Sequence, residues 1–214
     1  ITPSQIINME ALENAITVDL AIGGSTNTIL HLTALAHEAE IDFDVRLFTE
    51  MSKKVPHLVK LSPAEKGHYP EDLYYAGGIT ALMAELNEAG LIHGEALTVT
   101  GTTVSENVAG AAVIDPSVIR PLDNPYSSKG GLQLLFGNVA PEGSVCKIAA
   151  VNPKMYVHRG PSRVFNKEED AVEAIYGGKI KPGDVVVIRY EGPKGGPGMR
   201  EMLTATSAIV GMGL

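Results

Sequence analysis

The sequence has one cysteine, no tryptophan and only four phenylalanines in 214 residues. A single thiol, Cys146, excludes an internal disulfide framework and fits a reducing, cytoplasmic compartment. Basic residues are also scarce: 17 Lys and Arg stand against 25 Asp and Glu, a formal net charge of -8. That balance argues against a nucleic-acid partner, because phosphate binding needs clustered Lys and Arg. No apolar run approaches the roughly 20 residues that span a bilayer, so no membrane partner is expected. The chain has no initiator Met and no signal or transit segment. It stops at Gly211-Met212-Gly213-Leu214, just past an expected helix, and therefore reads as a piece of something longer.

Common site signatures are missing too. The six histidines (31, 37, 57, 68, 93 and 158) include no i,i+4 metal pair, and His31 and His37 lie six apart, on different helix faces. They read as ordinary surface or core histidines. Cys146 lies in the apolar run Ser144-Val145-Cys146-Lys147-Ile148 and reads as a small buried hydrophobe rather than a nucleophile or ligand. There is no Gly-x-Ser-x-Gly elbow, no Cys-x-x-Cys pair and no Walker A loop.

What is present changes character along the chain. With 44% hydrophobic residues the composition is that of a globular protein. Leu12, Ala15, Ile16 and Leu20 have helical spacing, and Gly23-Gly24 ends that helix. Ser25, Thr26 and Asn27 supply N-cap chemistry for a second helix through Ile29, Leu32, Leu35 and Ala36. A third is expected from Phe48 to Val55 and a fourth from about Ile79 to Ala89. From Leu97 onward, β-branched residues, Gly and Pro dominate. Short apolar runs at 97–99, 113–114, 132–136, 144–150, 156–158 and 185–190 are punctuated by turn signals, a pattern that predicts a barrel or sandwich. One helix interrupts near Lys167–Tyr176, with Asn166 and Glu169 as a capping-box-like start, and another is expected from Met199 to Ile209.

Two segments could carry chemistry. Gly23-Gly24-Ser25-Thr26-Asn27 sets small polar residues at a helix start, where free N–H groups attract phosphate or carboxylate; it can equally be a plain well-capped junction. Glu191-Gly192-Pro193-Lys194-Gly195-Gly196-Pro197-Gly198-Met199-Arg200-Glu201 holds four glycines and two prolines between a strand-like run and a helix, a restricted backbone path. A carboxylate there could bind a hard cation such as Mg²⁺, or be a solvated acid in a helix first turn.

At this loop a resemblance enters. Val185 to Leu203 closely resembles a stretch of the dihydroxy-acid and phosphogluconate dehydratase family. So do Ala21 to Asn27 with His31-Leu32, Gly130-Gly131-Leu132 with Gly137 to Pro141, and His158-Arg159-Gly160-Pro161 with Phe165. The likeness spans essentially the whole chain. Lys54 to Leu58, Leu97 to Gly101 and Arg120 to Pro125 look more like the branched-chain branch than the phosphogluconate branch.

The resemblance implies a hydro-lyase that converts 2,3-dihydroxy carboxylates to 2-keto acids in valine and isoleucine biosynthesis. It implies an iron–sulfur cluster (2Fe-2S or 4Fe-4S) and Mg²⁺ as Lewis acids, and a homodimer. The fold it implies is α/β plus β: the helical tail of an α/β amino-terminal domain (1–93), then a β-barrel-like, swivelling domain (94–214) cut at its carboxyl end. Glu201 matches the family's Mg²⁺-ligand glutamate. The cluster cysteines, a metal-binding Asp and a carbamylated Lys are expected before Ile1, and the base serine beyond Leu214. Ser25, Thr26, Asn27, Gly195, Gly196 and Gly198 become substrate-side candidates. By itself the segment is expected to hold no cofactor and to be inactive. Rival readings are a sugar-acid dehydratase of the same family, acting on aldonate or phosphogluconate, and a non-catalytic anion-binding swivelling module.

Overall fold

The computed structural model describes residues 1–63, 66–192 and 202–214. The chain divides into two compact units, Ile1–Val151 and Asn152–Leu214.

The regular structure of the first unit is mostly helical. In chain order its helices are α1 (Pro3–Ile6), α2 (Met9–Ile22), α3 (Asn27–Glu38), α4 (Leu47–Ser52), α5 (Pro70–Tyr75), α6 (Gly78–Glu88) and α7 (Val104–Val108). The spacing that predicts α2 is the spacing that buries it: Leu12, Ile16 and Leu20 are almost wholly enclosed. Ile16 and Leu20 belong to one cluster with Phe48 of α4, Leu82 and Leu86 of α6, and Leu58, Val59, Ile119 and Leu132 from connecting segments. The helix expected over 48–55 ends at Ser52. Beyond it the backbone turns outward to other segments: Leu58 N–H donates to the Ala21 carbonyl at 2.7 Å, and His57 N–H to Ser127 at 2.9 Å. Helices α5 and α7 were not expected. Each is one or two turns long, too short for a periodic stripe, and their ends are made by Pro70 at the first turn and by a Thr103–Glu106 capping box.

The expectation of a predominantly β region after Leu97 needs correction. Among the described residues the strands are β1 (Gln133–Leu135) and β2 (Ser144–Cys146), paired antiparallel, and β3 (Ser162–Phe165) and β4 (Val185–Ile188), paired parallel. The described residues form a mixed helical fold with two small sheets and no closed barrel. The runs at 97–99, 113–114 and 156–158 form no strand. Val99 is 82% exposed on a loop held by hydroxyls of Thr98, Thr100 and Thr102 around Asn107, so β-branched residues here serve a side-chain network rather than a ladder. After Cys146 the chain leaves β2 for a short 3₁₀ turn at Ile148–Ala150.

In the second unit β3, α8 (Glu168–Tyr176) and β4 make a compact βαβ unit with α9 (Leu203–Gly211). Its small core is Ala174, Ile175, Ile180, Ala205 and Ala208. Helix α8 falls where the sequence puts it, but its start differs. Lys167 is the cap residue and uses no side-chain cap bond; the Glu168 N–H instead donates at 3.1 Å to Glu191, 23 residues beyond Glu168. Helix α9 spans Leu203–Gly211; Met199, the start expected from sequence, lies outside the described residues.

Candidate functional site

The α2–α3 turn is organised by one carboxylate. Asp19, in the last turn of α2, is 8% exposed. Gly23 closes the helix in the left-handed conformation (φ 57°), and the Gly24 N–H returns to the Asp19 carbonyl at 2.8 Å. The chain then passes back over the side chain: the Ser25 N–H (3.2 Å) and the Thr28 hydroxyl (2.9 Å) both donate to Asp19 Oδ1. Ser25 is exposed, Thr26 and Asn27 half-buried. Ser25 Oγ accepts the Asn27 N–H at 3.2 Å, while Thr26, the cap residue of α3, makes no side-chain cap bond. The carboxylate that a helix start attracts is here supplied by the preceding helix. Burial pushes the Asp19 carboxyl up from its ordinary range, opposed by the Thr28 and Ser25 hydrogen bonds and by attraction to Lys147.

Segments far apart in sequence meet at this turn. A Cβ on Gly24 would lie 1.9 Å from Asp19 Oδ1, and one on Gly23 would lie 2.5 Å from Nε2 of the buried His57. A Cβ on Gly131 would lie 2.4 Å from the Gly23 Cα, because the Gly131 N–H reaches the Leu20 carbonyl at 3.0 Å. Three motifs that the sequence displays separately, around Gly23, His57 and Gly130-Gly131, thus form one junction. Sequence reasoning missed Asp19 as its centre. The available signal was an acid beside Ile16 and Leu20 on a helix with a buried stripe, where an unpaired charge is costly. Beside the junction lies a mostly apolar cavity of about 570 Å³, lined among others by Asn14, Asp19, Ile22, Thr28, Leu97 and Val104.

The glycine-rich candidates Gly195, Gly196, Gly198 and Glu201 lie outside the described residues. The strand leading to them does not. Glu191, the other carboxylate of that loop, is 8% exposed and meets the first turn of α8. In the same unit His158 Nε2 lies 3.0 Å from the Gly183 carbonyl, and a Cβ on Gly160 would be 1.9 Å from that oxygen. The His158-Arg159-Gly160-Pro161 motif is therefore a close backbone approach.

Cys146 sits half-buried at the end of β2, not enclosed as its apolar neighbours suggested, because β2 is a largely exposed strand. Among the described residues no group of three or more His, Cys, Asp and Glu could hold a metal ion. One thiol does not supply the usual cysteine set of an iron–sulfur cluster. Among the described residues no helix is long and apolar enough to cross a membrane.

Two family models match the chain consecutively: the dihydroxy-acid/6-phosphogluconate dehydratase amino-terminal model over residues 1–107 and its carboxy-terminal counterpart over 117–214. The chain belongs to the dihydroxy-acid/6-phosphogluconate dehydratase family. Within that family it is 60% identical over all 214 residues to the dihydroxy-acid dehydratase of Caldanaerobacter subterraneus subsp. tengcongensis, 38% of whose length it covers. It is 59% identical over all 214 residues to that of Ignicoccus hospitalis, covering 39%. It is also 60% identical to that of Caldicellulosiruptor saccharolyticus over the whole chain, again covering 39%. The chain thus spans well under half the length of these dehydratases. The junction of the two family models falls between 107 and 117, within the first compact unit.

Proposed function

We propose that the chain is an internal, carboxy-proximal part of a dihydroxy-acid dehydratase that removes water from 2,3-dihydroxy carboxylates to give 2-keto acids in branched-chain amino-acid biosynthesis. The observation that carries this reading is the identity of about 60%, unbroken over the whole chain, to proteins of that name. In the intact protein we assign Glu201 as one Mg²⁺ ligand. The remaining ligands, the cluster cysteines and the base serine lie in polypeptide outside residues 1–214. The metals would stabilise the enolate and the leaving hydroxide when bound. Ser25, Thr26, Asn27, Gly195, Gly196 and Gly198 are proposed substrate-side elements. The domain division at 93/94, the barrel-like carboxyl domain, the homodimer and the cytoplasmic location belong to the same reading.

The test is a substrate comparison on the full-length protein. Keto-acid formation from a branched 2,3-dihydroxy carboxylate, well above that from aldonate or 6-phosphogluconate, is the expected result. Preference for the sugar acids would move the protein to the other branch of the family, and no turnover with a reconstituted cluster and Mg²⁺ would leave the anion-binding module. Glu201→Gln is expected to keep fold and cluster while Mg²⁺ affinity and most turnover are lost; near-normal turnover would remove Glu201 from the assignment. Residues 1–214 alone are expected to be inactive, and stoichiometric cluster absorbance on reconstituting them would overturn that expectation.

A further inference from the structure

Two cations share one aromatic ring in the first unit. The Arg120 guanidinium lies over the Tyr126 ring, 4.1 Å from its centre, and Lys60 Nζ lies over the same ring at 4.8 Å. All three residues are half-buried. Long-range bonds put them there. The Arg120 N–H donates to the Leu58 carbonyl and the Tyr126 N–H to the His57 carbonyl, each at 2.9 Å. The Tyr126 hydroxyl donates to the Ser117 carbonyl at 3.2 Å, which fixes the ring. The chain carries a net charge of -8, yet no carboxylate neutralises Arg120. Among the described residues its guanidinium makes no hydrogen bond and no ion pair. The acids beside it in sequence do not reach it: Asp115 accepts the Ser117 N–H and hydroxyl at 2.8 and 2.6 Å, and Asp123 forms no ion pair with it.

Contact with a ring draws on the charge of a guanidinium and leaves its fork of N–H donors unspent. A second cation on the same ring adds like-charge repulsion. One bound oxyanion answers both: its oxygens accept from the fork, and its charge offsets the two cations. We propose that Arg120 and Lys60, gathered on Tyr126, form a site for a small solvent-borne oxyanion, phosphate or carboxylate. Arg120 holds it through paired N–H bonds, and Lys60 adds a point charge. The ring sets the place of the fork before binding, so little ordering is left to do when the anion arrives. Lys60 lies in the span of the amino-terminal family model, Arg120 and Tyr126 in that of the carboxy-terminal one. An anion held by both cations therefore ties the two spans together. The site is separate from the residues assigned above to substrate and Mg²⁺.

The test titrates the full-length protein with inorganic phosphate in one arm and acetate in the other, at constant ionic strength in chloride so that general screening does not change. Backbone amide exchange over residues 57–60 and 117–127 is the local readout. A saturable rise in protection of both segments is expected with at least one anion, and the arm that gives it names the ligand chemistry. Arg120→Gln loses both fork and charge, so the affinity should fall about tenfold or more. Arg120→Lys keeps the charge without the fork and should fall less. Lys60→Gln should weaken binding severalfold, and it carries the test where substitution at Arg120 prevents folding. Absence of a saturable change in both arms overturns the proposal, as does wild-type affinity in either Gln variant. A full-length structure with an Asp or Glu side chain on the Arg120 guanidinium also overturns it, because the donors are then spent within the protein. No turnover is read, so failure of the dehydratase assignment leaves this outcome unaffected.

Discussion

The two compact units are filled with different material. Ile1–Val151 closes around long side chains, with Leu12, Ile16, Leu20, Leu58, Leu82, Leu86, Ile119 and Leu132 almost wholly enclosed. Asn152–Leu214 closes around Ala174, Ala205 and Ala208, with Ile175 and Ile180 as its large buried members. Alanine lets α8 and α9 approach closely and loses no side-chain entropy on burial, but it removes little apolar surface from water. A stretch of about 60 residues with such a core is marginal by size alone. The first unit is expected to hold its own structure. The second, with Val210, Leu203 and Tyr176 more than half exposed, is expected to lean on material outside itself.

The largest effect should come from a matched pair of truncations. Ile175→Ala and Leu82→Ala each empty a fully enclosed site and should each cost about 2–5 kcal/mol. In the second unit that loss is comparable to the whole stability of so small a core, so Ile175→Ala should abolish amide-exchange protection across Asn152–Leu214 and leave α2 and α6 protected. Leu82→Ala should lower protection in the first unit without erasing it. Simultaneous loss in both units for either variant would break the comparison. The same reasoning predicts self-association of the isolated chain, and a well-behaved monomer by sedimentation, with both units melting cooperatively, would contradict it.

Next in size is the glycine junction. Gly131→Ala drives a Cβ into the Gly23 Cα at 2.4 Å, backbone against backbone, which no rotamer change can relieve. A loss of about 1–3 kcal/mol or more is expected in the first unit's thermal unfolding. Gly137→Ala is the control: nothing lies within 4 Å of its Cβ, and a change within about 0.5 kcal/mol is expected. Equal effects would mean that the close approach carries no cost.

These contrasts explain what was legible in the sequence. Helices α2 and α6 were readable because each buries a stripe at the helical period; α3 was readable from its apolar spacing, although only Ile29 and Ala36 are buried and Leu35 is exposed. The region after Leu97 misled because Val, Thr and Gly mark strands and structured loops alike. Thr98 to Thr102 spend their hydroxyls on Asn107, and Val157 is 92% exposed. The glycine motifs were visible as motifs, but their meeting was not, since the contact of Gly131 with Gly23 is long-range and leaves no local pattern. Asp19 was passed over for a related reason. Its donors arrive from a turn that the periodicity of α2 does not describe.

Acid titration should separate Asp184 in the second unit from Asp19 in the first by sign. The Lys181 N–H, then Arg163, hold the Asp184 carboxyl below its ordinary value. A depressed folded value means stability that is present above the unfolded pKa and is lost as pH falls through the folded one. Asp19 in the first unit runs the other way. Its raised folded value means that the folded state takes up a proton first, so acidification from neutral pH relieves the buried charge. The second unit should therefore lose exchange protection at higher pH than the α2–α3 turn. Asp184→Asn should flatten the acid limb of the second unit. Asp19→Asn should remove the relief in the first, although Glu106 and Asp115, both held low by hydrogen bonds, still pull that unit down at lower pH. An acid limb at the α2–α3 turn identical to that around Asp184 would count against the assignment.

The smallest effect is expected at Glu191, where it also sharpens the division of labour in the glycine-rich loop. Two carboxylates flank that loop, and from sequence either could serve a cation. Glu191 is buried at the start of α8 and accepts the Glu168 N–H, one of the orphan donors of that helix. A negative charge there also complements the helix dipole. Its role is structural, the counterpart in the second unit of the Thr103 cap on α7, except that the capping group arrives from 23 residues away and so ties β4 to α8. Glu191→Gln keeps an acceptor oxygen and loses the charge, about 0.3–1 kcal/mol. Glu191→Ala loses both and should cost about 0.5–2 kcal/mol. Thr103→Ala should cost a similar amount in the first unit, where the larger core absorbs it with little change in the exchange pattern. In the full-length protein Glu191→Gln should lower the second unit's midpoint slightly while Mg²⁺ affinity and turnover stay near normal, the reverse of the outcome expected for Glu201→Gln. Loss of Mg²⁺ affinity at unchanged stability in Glu191→Gln would make Glu191, not Glu201, the cation's ligand and would leave α8 without the cap assigned to it.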